Sequence, residues 1–158
     1  MPNQRLKKFL DESNSDYRVI AHPTAYTSQD TVQAAHESGK EFAKAVMLKV
    51  DGRMVMAVLP AHHKVDFDNL RDAIGANSVE LASEAEFKGL FPDCETGAMP
   101  PLGELYDVDV VIEGSLAENE MISFNAGTHR EMIKMRYKDF ARLVMPRRIS
   151  VVVIAIGD

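Results

Sequence analysis

The dipeptide Asp51-Gly52 constrains this chain more than any other pair of residues. It stands between two apolar runs, Ala45-Val46-Met47-Leu48-Lys49-Val50 and Arg53-Met54-Val55-Met56-Ala57-Val58-Leu59. A two-residue connection between antiparallel strands needs positive φ, which glycine supplies without steric cost, so the segment predicts a tight hairpin. The second run is apolar on both faces, which predicts a central strand covered on both sides. Pro60 ends it, because proline has no N–H to give to a ladder.

Other elements follow from period and punctuation. Leu6, Phe9 and Leu10 recur at helical spacing, which predicts a short amphipathic helix over 3–13. Tyr17 to Ile20 reads as a strand stopped by Pro23. Thr27 and Ser28 are N-cap residues for a helix to about residue 38, closed by Gly39. Asp66 to Gly75 predicts a helix, and Ser78 to Leu81 a strand. Ser83-Glu84-Ala85-Glu86 has capping-box spacing and starts a helix reaching about Leu90. A turn-rich loop spans 92–103. Strands are expected over 108–113, 121–125 and 131–136, a helix over 138–144, and one more strand in the β-branched tail, 149–156. Short helices among six or more strands, without regular βα alternation, predict an α+β class. The expected architecture is a single domain over 1–158, with a mixed sheet or partly closed barrel among short helices and a C-terminal tail from 145.

Composition narrows the function. The 158 residues are 46% hydrophobic and 27% charged, the balance of an ordinary globule. One cysteine, Cys94, excludes an internal disulfide and a cysteine-rich zinc site. No apolar run approaches the roughly 20 residues of a membrane span, and the N-terminus has no signal-peptide core, so a cytoplasmic protein is expected, with no membrane partner. The net charge of −6 argues against DNA and long nucleic acid in general. That charge is uneven. Residues 1–128 hold 11 Lys/Arg against 21 Asp/Glu, and residues 129–158 hold 7 against 3. The basic stretch, from Arg130 through Lys134, Arg136, Lys138, Arg142 and Arg147 to Arg148, is either a phosphate-facing surface or a solvated face.

The candidate chemistry is sparse. His62, His63 and Asp66 are close in sequence, but adjacent histidines in a strand point to opposite faces, so no metal is expected. No nucleotide-binding glycine fingerprint or Gly-x-Ser-x-Gly elbow occurs. Cys94 stands between Asp93 and Glu95, whose charge opposes thiolate formation. Lys44 interrupts an apolar strand and shares a face with Val46 and Leu48, so it either snorkels to solvent or rims a pocket for an anion or carbonyl. The stretch Gly97-Ala98-Met99-Pro100-Pro101-Leu102-Gly103 is either a stiff turn or an oxyanion-type site built on the N–H groups of Ala98 and Met99. Ser123-Phe124-Asn125-Ala126-Gly127-Thr128-His129 gathers polar side chains around a glycine at a strand end.

Together these segments resemble the YbaK/ProX family, which includes the editing domain inserted into bacterial prolyl-tRNA synthetases. "AKAVMLKV" is similar to the family's lysine-bearing strand, with Lys44 at the lysine, and "GAMPPLG" to its Gly-x-x-x-Pro loop, with Gly97 and Pro101 at the ends. "AHPTAYTSQDTVQAA", "LPAHHKVDFDNLRDAIGANSVELAS" and "ISFNAGTHREMIKMRYKDFARLV" also fit, so the likeness covers about residues 15–145. The chain departs from other branches in Ala45 after the lysine and in Ala98-Met99-Pro100 within the loop. The resemblance implies a barrel-like α+β fold and hydrolysis of mischarged aminoacyl-tRNA by a chain too short for a synthetase. It implies a small edited side chain, Ala, Ser or Thr, with Cys behind them, and no cofactor. It places Lys44, Gly97, Ala98 and Met99 in catalysis, and His22, Thr27, Pro101, Asn125, Gly127 and His129 in substrate binding. The implied partners are the 3′ acceptor end of an aminoacyl-tRNA and an aminoacyl-tRNA synthetase. Two other readings stay open: a regulatory module that binds tRNA or a synthetase without turnover, and a hydrolase of small activated esters.

Overall fold

The hairpin forms with the turn that its residues demand. In the computed structural model, which describes residues 3–152 and 155–157, β2 (Ala43–Val50) pairs antiparallel with β3 (Arg53–Pro60). Asp51 and Gly52 between them take φ of 50° and 84°. Two consecutive positive φ values match the twist of the flanking strands. The Asp51 carboxylate accepts the N–H groups of Asn77 and Ser78, each at 2.9 Å, and so pins the hairpin tip to the start of β5 (Val79–Leu81). As its composition predicts, β3 is central: β2 lies on one side and β6 (Asp109–Glu113), in parallel, on the other.

The five-stranded sheet runs β5-β2-β3-β6-β9, with β9 (Arg148–Val152) parallel to β6. A three-stranded antiparallel sheet runs β1 (Tyr17–Ala21), β8 (Glu131–Arg136), β7 (Met121–Asn125). A parallel bridge between Phe42 and Ser123 brings the leading end of β2 alongside β7, so the two sheets wrap one core. They do not close into a full barrel. That core holds Met47, Met56, Val58 and Ile112 from one sheet and Ile122, Phe124, Ile133 and Met135 from the other. Leu6 and Leu10 of α1 (Gln4–Glu12) and Phe140 and Val144 of α5 (Tyr137–Val144) cover its ends.

The outer faces are also covered. Leu70 of α3 (Phe67–Ile74) packs on Leu48, Val55, Leu59 and Val111. Val32 of α2 (Ser28–Ala34) and the following Ala35 pack on Phe42, Ala61 and Met132. Local chemistry sets the helix ends: Asp66 caps α3 and Gly75 stops it at φ 69°, and Ser83 and Glu86 form the reciprocal capping box of α4 (Glu84–Phe87).

Two expectations are corrected. The helix after Thr27 stops at Ala34 instead of residue 38, because His36 at φ 56° turns the chain and Glu37 N–H returns to Val32 O. Gly39 does not close it; its carbonyl instead meets His62 Nδ1 at 3.0 Å. The tail is not one strand either. Its first part is β9, and β10 (Ala155–Gly157) pairs with β4 (His63–Val65), while 153, 154 and 158 lie outside the described residues. Among the described residues no helix is long and apolar enough to cross a membrane.

Gly103 opens a tight turn ahead of β6, and a Cβ there would run into the Val108 carbonyl and lie 2.5 Å from Val110 Cγ2. Gly103→Ala should therefore cost about 3 kcal/mol of stability, because backbone cannot yield as a side chain does. Thermal unfolding should show Tm lowered by about 9 °C; an unchanged Tm would mean that the turn relaxes freely.

Candidate active site

Lys44 takes the face that strand parity predicts. It is level with Leu59 across the hairpin and shares its side of β2 with Phe42, Val46 and Leu48. Its ammonium donates to the carbonyls of Ala61, at 3.3 Å, and His63, at 2.5 Å. Neither a simple snorkel nor an empty pocket rim describes this: backbone holds the charge in place.

The same face carries polar atoms with no partner. The Phe42–Ser123 bridge sets Asn125, two residues along β7, at the level of Lys44. Asn125 is also in register with Met132 and, through it, Ile20. Alternation from Ile20 puts His22 on that face too. His22 Nδ1 lies 2.8 Å from the Pro23 carbonyl, which only accepts, so in the neutral ring Nε2 carries the lone pair. His22 Nε2, Ser123 Oγ and Asn125 Oδ1 are all buried without a hydrogen-bond partner. Such groups cost about 1–3 kcal/mol each when left unmet, so this face carries unused hydrogen-bonding capacity. His22 and Asn125 were expected in the site; Ser123 was not. Its signal was present, as a hydroxyl in an apolar strand, but small and common.

The second set of residues lies just beyond β7. Gly127, at φ 92°, donates its N–H to Ala98 O at 2.9 Å, and Glu95 N–H donates to Gly127 O at 2.8 Å. Gly97, at φ 89°, turns the chain between them. The expectation that Ala98 N–H stays open is corrected: it donates to Glu95 O at 3.0 Å. The N–H of Gly97 faces Met99 Sδ, a weak acceptor, at 3.2 Å, and so is one donor of this turn without a strong acceptor. Pro101 is buried, and Thr27 spends its hydroxyl on Asp30 N–H at 3.0 Å, capping α2. His129 is held by its N–H to Glu95 Oε1 at 2.6 Å and by Nε2 to Thr96 O at 2.9 Å. Its ring stands 3.6 Å from where a Cβ on Gly97 would lie.

Lys44 and the Gly97 loop, expected to converge, are carried by separate parts of the fold. Met99 and Leu102 pack into the core on the other side of β2 from the Lys44 side chain. What joins them is β7, through Ser123 and Asn125 in its second half and Gly127 two residues past that same end.

Elsewhere the chemistry is muted. His62 and His63 do not diverge as strand neighbours would. His62 precedes β4 in a turn, and the two rings meet edge-on at 4.3 Å. Among the described residues no three His, Cys, Asp or Glu side chains gather for a metal. In the basic stretch, Lys134 pairs with Glu37 at 2.9 Å, both largely buried, and Arg147 with Asp107 at 2.9 Å. Arg130, Arg136 and Lys138 are exposed.

Residues 22–143, from the first of these site residues to the end of α5, match the family model of the aminoacyl-tRNA editing domain. The chain belongs to the aminoacyl-tRNA editing domain family. It is 29% identical over 153 residues to the multifunctional Ser/Thr-tRNA deacylase ProXp-y of Escherichia coli strain K12, covering 94% of this chain and 91% of that one. It is 26% identical over 107 residues to a proline–tRNA ligase of Bacillus mycoides, a match to 68% of this chain and 19% of the ligase. The crystal structure of hypothetical protein APE2540 superposes with a TM-score of 0.83 at 13% identity, over 97% of this chain and all of the other, and shares its fold. As an editing domain, this chain is an enzyme of the aminoacyl-tRNA deacylase class.

In this editing domain Cys94 is close to the Gly97 turn but chemically quiet. Burial pushes its thiol up to about 11, with the Asp93 charge adding to the shift and the Tyr106 hydroxyl, 3.1 Å away, opposing it. Burial, more than the neighbouring charge read from the sequence, is the main cause. At pH 8 iodoacetamide should label Cys94 about a hundredfold more slowly than an ordinary thiol, since the thiolate is the nucleophile. Unfolding in guanidinium should restore the ordinary rate; fast labelling of the folded protein would refute this picture of the site.

Proposed function

We propose that this editing domain acts in trans on tRNA mischarged with a small amino acid, Ala, Ser or Thr, with Cys behind them. The observation that carries the reading is the face shared by Lys44, His22, Ser123 and Asn125, with three buried polar atoms lacking partners. His22 Nε2 and Asn125 Oδ1 accept hydrogen bonds, and the Ser123 hydroxyl both accepts and donates. An aminoacyl ester brings an α-ammonium with N–H donors, and Ser or Thr adds a side-chain hydroxyl. The apolar wall of Phe42, Ala61 and Met132 beside them limits side-chain size.

The ester is already activated, so the site needs positioning and charge stabilisation more than a covalent nucleophile. Water adds to the ester carbonyl carbon and its electron pair moves onto the oxygen. The resulting oxyanion collapses, expelling the ribose oxygen, which takes up the proton that the attacking water gives up; free amino acid and tRNA leave. Lys44 anchors the terminal phosphate or the ester carbonyl. The Gly97 N–H exchanges Met99 Sδ for the oxyanion, a far better acceptor. The neighbouring ribose hydroxyl helps position the water. Proline is rejected mainly by shape, since its ring ties the nitrogen to the side chain. The match to part of a proline–tRNA ligase supports an association with that class of synthetase.

The test is deacylation of a panel of mischarged tRNAs. Wild type should release Ala, Ser or Thr, and Lys44→Ala should lower kcat/KM by about 10²–10³, the loss usual for one charge-stabilising donor. Gly97→Val should lower it comparably, because valine is strained at φ 89° and presses on His129. Circular dichroism should show both variants folded. Equal rates in Lys44→Ala would remove the lysine from the mechanism, and no turnover with any tRNA would make the protein a binding module.

A further inference from the structure

The most exposed large apolar side chain among the described residues is Tyr26, at 72%. It lies in no helix or strand, yet its position is set. Ala25 N–H donates to His129 O at 3.0 Å, and His22 N–H to Arg130 O at 2.9 Å, so residues 22–25 run beside 129–130. The Tyr26 ring therefore lies over the His129 ring, with centroids 4.8 Å apart and planes 56° apart. With Thr24, Glu95 and Arg130 they line an open cleft of about 430 Å³. That is within the size range of pockets for a small organic ligand.

Each wall has a chemistry. The Tyr26 face is a flat apolar surface open to solvent, and exposed aromatics stack nucleobases without regard to sequence. His129 cannot swing away, because its main chain and its Nε2 are both bonded. Arg130 is exposed and cationic, suited to a phosphate. Glu95 is an acceptor, which favours a base edge bearing an exocyclic amine over one bearing only carbonyls. The cleft also adjoins the turn argued to hold the reacting ester, since the His129 ring is what a Cβ on Gly97 would touch. In an aminoacyl-tRNA the ester and the terminal base hang from one ribose. A base platform must then lie one sugar away from the oxyanion donor, and the His129 ring, with Tyr26 against it, stands beside Gly97.

We infer that Tyr26, over His129, is the stacking platform for the terminal adenine of the tRNA 3′ end, with Arg130 on its phosphate and Glu95 on its amine. This rests on the editing reading above for the placement of the ester. It adds a binding subsite that the family match does not assign, and it makes Tyr26 a substrate-binding residue and His129 a positioning one.

The experiment uses the full chain and two substrates. One is a CCA-ended RNA microhelix with 2-aminopurine in place of the terminal adenine; the other is the mischarged tRNA that wild type deacylates fastest. In wild type, binding should quench 2-aminopurine fluorescence. Tyr26→Phe should keep the quench; Tyr26→Ala should lose it and raise KM about tenfold, with kcat changed less than twofold, as loss of one base stack predicts. Arg130→Ala should keep the quench while flattening the salt dependence of binding by about one phosphate contact. Equal quench and equal KM in Tyr26→Ala would overturn the platform and leave editing intact. If wild type deacylates nothing but Tyr26 still quenches the probe, the editing reading fails and the platform survives as a binding site for RNA ends. If the probe binds with no Tyr26-dependent quench, the platform is refuted whatever the turnover.

Discussion

The register of β2 against β3 decides where a charge set in an apolar stretch, Lys44, goes. Side chains alternate along a strand, so a slip of one residue would turn Lys44 into the core beside Met47 and Met56. Burying an unpaired ammonium there would cost far more than a turn contributes. Asp51 and Gly52 prevent the slip, because two consecutive positive φ values allow one pairing of the flanking residues and no other of similar energy. Asp51 adds a second lock through Asn77 and Ser78, which fixes β5 on the same sheet. The position of Lys44 is thus a consequence of a turn seven residues away.

The seam at β7 is the second requirement. Phe42 and Ser123 bridge the two sheets, and that bridge sets the polar face of β7 against the leading end of β2. One side of β7, Ile122 and Phe124, is core. The other, Ser123 and Asn125, meets Lys44. Just past its end, Gly127 takes up Ala98 and so carries the Gly97 turn. A single strand therefore divides its alternation between the core and the polar face level with Lys44.

Local chemistry made much of this legible in the sequence, and distant pairing made the rest opaque. The hairpin, the capping box at Ser83 and Glu86, and the Gly75 stop depend on residues within four positions of one another. The lysine and the glycine turn were identifiable as unusual residues in their settings. The end of α2 was not, because His36 does what a glycine usually does, and nothing at that position announces it. Ala98 looked like an open donor because its acceptor, Glu95 O, is set by the fold of the turn. Tyr26 was invisible as a site residue, since only the backbone ladder between 22–25 and 129–130 lays it on His129. The histidine pair was misread by treating both rings as strand residues, when His62 belongs to the turn before β4.

A site with unmet acceptors is less stable without ligand than one with apolar walls. His22 Nε2, Ser123 Oγ and Asn125 Oδ1 each forgo about 1–3 kcal/mol relative to a satisfied state. Such a deficit is a means of selection. A small apolar group meeting this face gains little, because it leaves all three atoms unmet; a group that brings donors recovers part of the deficit only in the correct pose. Hydrogen-bonding pockets reject ligands lacking the polar group far more strongly than apolar pockets reject one extra methylene. An editing domain faces that problem in a severe form, since every aminoacyl-tRNA in solution shares the same adenosine end and the same ester. Affinity for the common part carries no discrimination, however tight it is. The selective energy has to come from the acyl group, and in the function proposed above the atoms that supply it are the buried polar ones on the Lys44 face.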